Sequence, residues 1–321
     1  MAKGEYTDQH ITPQAYLNRF AWKGDKEYVI GVWQKGKKGV EPKLYENAVK
    51  NVGYIKNFYD VGSRKDKKYW EKYYGRVFDP LYGKPLGNLI AKITLSRKES
   101  FYLIESEKRL LARIICSQML RGPNYINKHL DEGPALISAN KRLLIRAIEG
   151  NSSPKVPQII ERIKKLEITD DQIKDVALAT VTDEERLNRY SAILLERAWA
   201  VYYNTTFFEF LTSDCPVIQY NLLNNSMDEE HIGIARLDTA LIFTLTPYIM
   251  IHILPPTFCT EGNEHNNGRL LYLGYNDLKF ILNYNSMQLE HCHQQAFMSP
   301  FMKKTIEQMM RDIDEGSGME N

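Results

Sequence analysis

Helical and strand patterns are segregated along this 321-residue chain instead of alternating. Residues 65–200 are dominated by apolar spacings of three and four, which predict helices, while β-branched and aromatic runs precede and follow them. A doubly wound α/β protein would alternate strands and helices, so this order argues against that class. We predict an α+β fold: a central helical bundle with an N-terminal β-hairpin and a small, mainly antiparallel C-terminal sheet.

A chain of this length holds roughly two domains or one large domain, and we expect a single α+β domain over residues 1–315. We expect four regions and a tail: an N-terminal segment 1–60 with hairpin strands at 28–33 and 43–45, a helical region 65–200, a β-rich region 200–256 that includes a strand at 207–211, C-terminal helices over 275–314, and a disordered tail 316–321.

Composition limits where the protein works. The N-terminus has no apolar signal segment, and no apolar run approaches the roughly 18 residues that span a bilayer. The four cysteines are scattered and form no CxxC pair, which favours reduced thiols over a disulfide framework. We therefore expect a cytoplasmic protein that does not use a membrane.

Positive charge is concentrated at the front of the chain. Residues 1–100 hold 20 of the 42 Lys and Arg residues and 11 of the 40 Asp and Glu residues, so this third carries +9 and the remainder −7. An excess of this kind permits an anionic partner such as a nucleic acid. A solvated lysine-rich surface is the alternative interpretation.

The first candidate functional residue is His10, which precedes a helix start at Thr12-Pro13. The positive end of a helix lowers the pKa of a nearby imidazole, so that the neutral ring can accept a proton or bind a metal. The alternative is that His10 only holds the N-terminal segment in place through hydrogen bonds.

A second candidate is Asp214, in the turn after the predicted strand at 207–211. A tight turn at the end of a strand is a common way to present a carboxylate to a ligand. The alternative is that the carboxylate binds backbone N–H groups of the turn itself.

Two pairs of polar side chains are spaced three apart, so each pair shares a helix face: Gln118 with Arg121, and Asn285 with Gln288. Arg121 has the geometry to grip a phosphate or carboxylate, and it would equally pair with a buried acid.

Motifs for metal binding, nucleotide binding and hydrolase catalysis are weak or absent. His291, Cys292 and His293, with Cys259 and His265, suggest zinc, but the spacing is not that of structural zinc sites, and we predict no metal-ligand set. The sequence contains none of the motifs GxxxxGK[ST], GxGxxG, HExxH and GxSxG.

Four segments in this order resemble a prokaryotic family known as domain of unknown function 4238. Its pattern QHxxPxxYLxxF is matched by Gln9, His10, Pro13, Tyr16, Leu17 and Phe20. The helix ending in QxxR is matched by Gln118 and Arg121. The TSDxP turn after a tryptophan is matched by Trp199, Thr212, Ser213, Asp214 and Pro216. The NxxQ helix is matched by Asn285 and Gln288. The family also has two spaced glutamates, of which Glu71 matches one and Asp79 only loosely matches the other.

The resemblance implies that these distant polar residues converge in one place. One hypothesis is a nuclease-like hydrolase of an anionic phosphodiester, in a defence or toxin setting, with His10, Asp214 and Arg121 catalytic and a divalent metal as its cofactor. In it, Gln9, Tyr16, Gln118, Asn285 and Gln288 would bind substrate. The alternative is a non-enzymatic interaction or ligand-binding protein in which the same residues form a structural network.

Overall fold

The computed structural model describes residues 8–36, 39–96, 101–228, 232–255 and 267–307. The helices are α1 (Gln14–Leu17), α2 (Tyr69–Val77), α3 (Lys84–Leu95), α4 (Glu105–Arg121), α5 (Pro123–Glu149), α6 (Val156–Lys165), α7 (Asp170–Ala179), α8 (Glu184–Leu195) and α9 (Leu278–His291). A 3₁₀ turn spans Asp79–Tyr82, and helical residues also run from 300 to 307.

The strands are β1 (Asp8–His10), β2 (Trp22–Lys23), β3 (Tyr28–Gln34), β4 (Lys43–Ala48), β5 (Tyr54–Lys56), β6 (Ala198–Asn204), β7 (Thr212–Ser213), β8 (Val217–Asn221), β9 (Thr239–Thr246), β10 (Ile249–Leu254), β11 (Leu270–Leu273) and β12 (Gln295–Met298). Helices in the middle of the chain and strands on both sides of them confirm the predicted α+β class.

The C-terminal sheet has the order β11-β6-β10-β9-β8 and is antiparallel except for the β11–β6 pair. Its two central strands read as almost continuous apolar runs because both faces of the sheet are covered. Leu241, Phe243 and Leu245 pack into the main core with the helices, whereas Ala240 and Ile242 pack under α9. The sheet therefore separates the helical bundle from α9.

The predicted N-terminal hairpin is confirmed, since β3 pairs with β4 in antiparallel register. This hairpin does not stand apart from the rest of the chain. Strand β12 pairs with β3 on its other side, from Gln295 opposite Gln34 to Met298 opposite Gly31, and with β7. The two ends of the described chain thus share one sheet.

Two local predictions are wrong. Residues 207–211 form no strand, because Phe210 donates its N–H to the carbonyl of Pro247 and Leu211 donates its N–H to the side chain of Asn285. The predicted C-terminal helical region is interrupted, because α9 ends at His291 and β12 follows. The predicted tail 316–321 and the end of the last helix lie outside the described residues.

Within the parts of the chain that the structure describes, no helix has the length and apolar character needed to cross a bilayer.

Candidate functional site

Gln9 anchors the N-terminal strand to the helical region. The side chain is fully buried on β1, which pairs with β5. Its amide oxygen accepts the Tyr59 N–H at 2.6 Å, and its amide nitrogen donates to the carboxylates of Asp60 and, at 3.1 Å, Glu71. One glutamine therefore holds two acids side by side.

His10 is half-buried and lies next to this arrangement. Its Nε2 is 3.1 Å from the amide nitrogen of Gln14, and because that amide can only donate, Nε2 is the acceptor. Burial lowers the pKa of His10, although the carboxylates of Asp79 and Asp8 and a main-chain hydrogen bond with Lys50 act in the opposite direction. The imidazole is thus held neutral, as predicted, with burial as the largest cause.

Arg121 ends α4 with its guanidinium almost fully buried. Nε donates to Gln118 at 3.2 Å, which confirms that the two residues share a helix face, and Nη1 donates to Asp79 at 2.8 Å. Gln118 also accepts the Tyr82 hydroxyl and donates to the main-chain carbonyl of Ile11. Arg121 therefore pairs with a carboxylate, the alternative that the sequence left open.

These residues form what we call the N-terminal polar cluster: Gln9, His10, Tyr59, Asp60, Glu71, Asp79 and Arg121. Burial raises the pKa of Glu71, and the Asp60 carboxylate adds to this, while Gln9 opposes it. Two buried atoms of the cluster, the Tyr59 hydroxyl and Nη2 of Arg121, have no hydrogen-bond partner among the described residues. The cluster thus combines a neutral histidine, an acid with a raised pKa and unpaired buried donors.

Asp214 lies elsewhere, in the turn between β7 and β8. The side chain is buried, and its two oxygens accept the N–H groups of His293, Gln294 and Gln295 at 2.7, 2.6 and 2.9 Å. Burial raises the pKa of Asp214 to about 6, although the three N–H donors and Lys35 favour the charged form. The carboxylate therefore caps the segment between α9 and β12.

Two residues of α9 hold the same turn from the other side. Asn285 accepts the Leu211 N–H and donates to the carbonyl of Glu209, both at 2.9 Å. Gln288 donates to the carbonyl of Pro216 at 3.1 Å and contacts the Tyr284 hydroxyl at 2.7 Å. The NxxQ pair therefore binds backbone rather than facing solvent.

Tyr16 completes this second group, which we call the TSD-turn cluster: Tyr16, Thr212, Asp214, Tyr284, Asn285 and Gln288. Its hydroxyl donates to the carbonyl of Thr244 at 2.7 Å and lies 2.8 Å from the hydroxyl of Thr212. Tyr16 is fully buried, so α1 is fixed against both β7 and β9.

The motif residues form two hydrogen-bonded groups that touch each other: the ring of Tyr16 packs against the ring of Tyr82 at 5.8 Å, and the Tyr82 hydroxyl donates to Gln118. His10 and Asp214 share no hydrogen bond or ion pair in the described chain. A series of hydrogen bonds also joins the two clusters. The N–H of Ile11 donates to the Gly53 carbonyl, and the N–H of Gly53 donates to the side chain of Gln295. Gln295 in turn donates its N–H to Asp214.

A cavity of about 450 Å³ lies where several motif segments meet. Gln118 at the end of α4 and Cys215-Pro216 in the TSD turn line it, together with Tyr125 and His129 from the first turns of α5. Residues 232–234, Tyr190 and His291 close its other sides.

No metal centre emerges from the described side chains, in which no group of three or more His, Cys, Asp and Glu is placed to hold an ion. Cys292 is buried, its thiol contacts the carbonyl of Leu289, and burial raises its pKa to about 12. Cys259 and His265 lie outside the described residues.

Sequence reasoning missed Tyr59, Asp60, Tyr284 and Gln295. Tyr59 and Asp60 lie in an irregular segment with no periodicity, and Gln295 lies in a stretch that resembles the end of a helix. Tyr284 lies four residues before Gln288, on the same face of α9, and that spacing was the one available signal.

Fold and site together define an α+β protein with two mostly buried polar clusters and a cavity that Gln118 and the TSD turn line. The chain belongs to the DUF4238 family, described as a protein of unknown function, whose model matches residues 8–300. The chain matches no curated protein and no solved structure.

Proposed function

We propose that this protein binds a small ligand in the 450 Å³ cavity, and that the TSD-turn cluster holds the cavity wall in position. The observation that carries this proposal is the placement of Gln118 and Pro216, which match the family pattern and line the cavity beside Cys215. Ligand pockets typically occupy about 300–1,000 Å³, so the volume is adequate.

The buried hydrogen bonds explain how the wall keeps its shape. Gln288 holds the carbonyl of Pro216, and Asp214 caps the chain behind the turn, so Cys215 is fixed from two sides. On the opposite wall, Gln118 is fixed by Tyr82 and Ile11. A binding site needs such supporting contacts to stay preorganised.

The lining indicates the kind of ligand. The rings of Tyr125 and His129 lie 4.2 Å apart at the cavity, and Met119 and Val217 add apolar surface. Lys128 is the basic residue of the lining, and none of its described members is Asp or Glu. These features favour a partly aromatic ligand that is neutral or anionic.

A thermal-shift screen tests the proposal directly. Nucleosides, nucleotides, aromatic acids and amino acids are each added to the full chain, because a ligand that binds only the folded state raises its melting temperature. Met227→Trp would fill part of the cavity, and Leu223→Trp, in the same loop but 81% exposed, is the matched control.

We expect at least one compound to raise the melting temperature of the wild type and of Leu223→Trp but not of Met227→Trp. A screen with no shift, or a shift that Met227→Trp retains, would contradict binding in this cavity.

A second candidate function, a cytoplasmic hydrolase of a phosphodiester, is supported by the N-terminal polar cluster. His10 is half-buried with a lowered pKa and could accept a proton from a substrate, and Glu71, which is bonded to the neighbouring Gln9 and has a raised pKa, could donate one. Arg121, which is paired with Asp79, would supply positive charge that stabilises the developing negative charge of the substrate. The +9 charge of residues 1–100 would attract a nucleic acid.

Incubation with DNA and RNA, with magnesium or manganese added, tests this candidate. We expect cleavage that His10→Ala and Glu71→Gln each reduce at least 100-fold, the usual contribution of a general acid or base. Asp25→Asn, at an exposed acid in a turn, should leave cleavage unchanged. No cleavage by the wild type, or full cleavage by His10→Ala, would exclude this role.

A further inference from the structure

Residues 135–168 project from the body of the protein, and we call them the α5–α6 arm. They comprise the C-terminal part of α5, all of α6 and the segment after it, and Val156 is the one buried residue among them. Isolated helices of this length are marginal in water, so most helical stability in proteins comes from packing an apolar face. The arm has little such packing within this chain.

The arm nevertheless carries an apolar surface. Leu143 is 60% exposed and Leu166 is 52% exposed, and four more large aliphatic side chains of the arm are also exposed: Leu136, Leu144, Ile159 and Ile168. Single exposed leucines are ordinary, but a cluster on one element marks an interaction site.

Two of these exposed side chains, Leu166 and Ile168, line a groove of about 710 Å³ between α5 and the segment after α6. Ile137 and Ile145 of α5 supply the apolar side chains of its other wall, whereas the exposed leucines of α5 lie outside it. Lys141 donates to the carbonyl of Leu166 and so joins the two walls. Apolar side chains in a groove with polar residues at its edge can receive the apolar face of an amphipathic helix.

Charge indicates what kind of helix fits. The arm holds seven Lys and Arg residues and three Glu residues, a net charge of +4. Lys141, Arg142 and Lys164 line the groove, against a single acid, Glu167. A second copy of the arm would bring +4 against +4, so charge complementarity favours a partner of the opposite sign.

We propose that this groove binds an acidic amphipathic helix of a partner protein, with leucine-type anchors at i, i+3, i+4 and i+7 entering the groove and carboxylates facing its basic edge. This inference is independent of the ligand cavity and of the N-terminal polar cluster.

A pair of model peptides tests the inference on the full chain. One is an 18-residue amphipathic helix with leucine anchors and glutamates on its polar face, and the other has lysine at every glutamate position. We expect fluorescence anisotropy to show binding of the acidic peptide that is at least tenfold tighter than binding of the basic one, and that weakens as salt is added.

Two kinds of variant locate the binding. Leu166→Glu removes an apolar contact, and the double change Arg142→Glu with Lys164→Glu reverses the basic edge; each should weaken binding of the acidic peptide at least tenfold. Leu223→Glu, at an exposed leucine outside the arm, should not. Circular dichroism checks that every variant stays folded, and the charge-reversal variant touches no buried residue.

Other outcomes overturn the inference. Equal binding of the two peptides, or no binding of either, would contradict an acidic helix as the occupant. Binding to phosphatidylglycerol vesicles in place of peptide would assign the arm to a membrane surface. Self-association in sedimentation that Leu166→Glu abolishes would assign it to a second copy.

Discussion

Replacing Asp214 by Ala tests the central claim about the TSD turn, that its carboxylate is structural. Both oxygens of Asp214 accept backbone N–H groups, two of them at Oδ2. Alanine has no side-chain acceptor, so all three buried N–H groups lose their partner.

The magnitude follows from two opposing contributions. Leaving a buried donor unsatisfied costs about 1–3 kcal/mol, and hydrogen bonds to charged groups lie at the upper end. Three such donors therefore cost about 3–9 kcal/mol. The raised pKa of about 6 means that the charged form is about 3 kcal/mol less favourable in the folded chain than in the unfolded chain, and Ala removes that cost at pH 7.5. We therefore expect a net loss of about 3 kcal/mol, which lowers the melting temperature of a 321-residue chain by about 4–5 °C.

Thermal unfolding followed by circular dichroism at pH 7.5 measures this shift, with Asp25→Ala as the matched control at an exposed acid. We expect the control to stay within about 1 °C of the wild type, as surface substitutions do. If Asp214→Ala unfolds at the same temperature as Asp25→Ala, the carboxylate does not hold the turn.

Three further results are expected. The pKa of Asp214 is raised from 3.8 to about 6 in the folded chain, so its contribution to stability is fully present below pH 3.8 and is lost as the pH rises through about 6. This change amounts to about 3 kcal/mol in the free energy of unfolding. Urea denaturation at pH 4.5 and 7 should show that the free energy of unfolding declines less in Asp214→Asn than in the wild type. Tyr16→Phe should cost about 1–3 kcal/mol, since it leaves a buried carbonyl and hydroxyl without their partner; chemical denaturation measures it, and an unchanged midpoint would refute it. Gly53→Ala should destabilise by about 1–2 kcal/mol, because φ is +67° and the new Cβ would lie 2.8 Å from Leu17; a melting temperature equal to the wild type's would contradict it.

The local patterns were informative where one segment decides its own structure. The β-branched and aromatic residues at 28–33 predicted a strand where β3 lies, and the Gly122-Pro123 pair correctly ended α4. Residues 207–211 also resemble a strand, but their backbone bonds go to Asn285 and to a neighbouring loop. Such partners lie tens of residues away, and no local pattern reveals them.

The candidate residues illustrate the same limit. Spacing on α4 correctly placed Gln118 beside Arg121, because that contact is local. Whether Asp214 faces His10 depends on the course of β12, whose short apolar run Ala296-Phe297-Met298 fits a helix or a strand equally. The sequence predicted which polar residues take part in buried contacts. It did not predict the position of β12, where Gln295 binds Asp214.

The pairing of β3 with β12 sets the order in which the protein can be completed. Gly31 and Met298 are neighbours in this sheet, so a nascent chain on the ribosome carries an unpaired edge of β3 until residues 295–298 have been translated. An open strand edge favours intermolecular pairing. Early termination of translation before residue 295 should therefore produce a chain that aggregates, and emergence of β12 from the ribosome should be the step that closes the sheet.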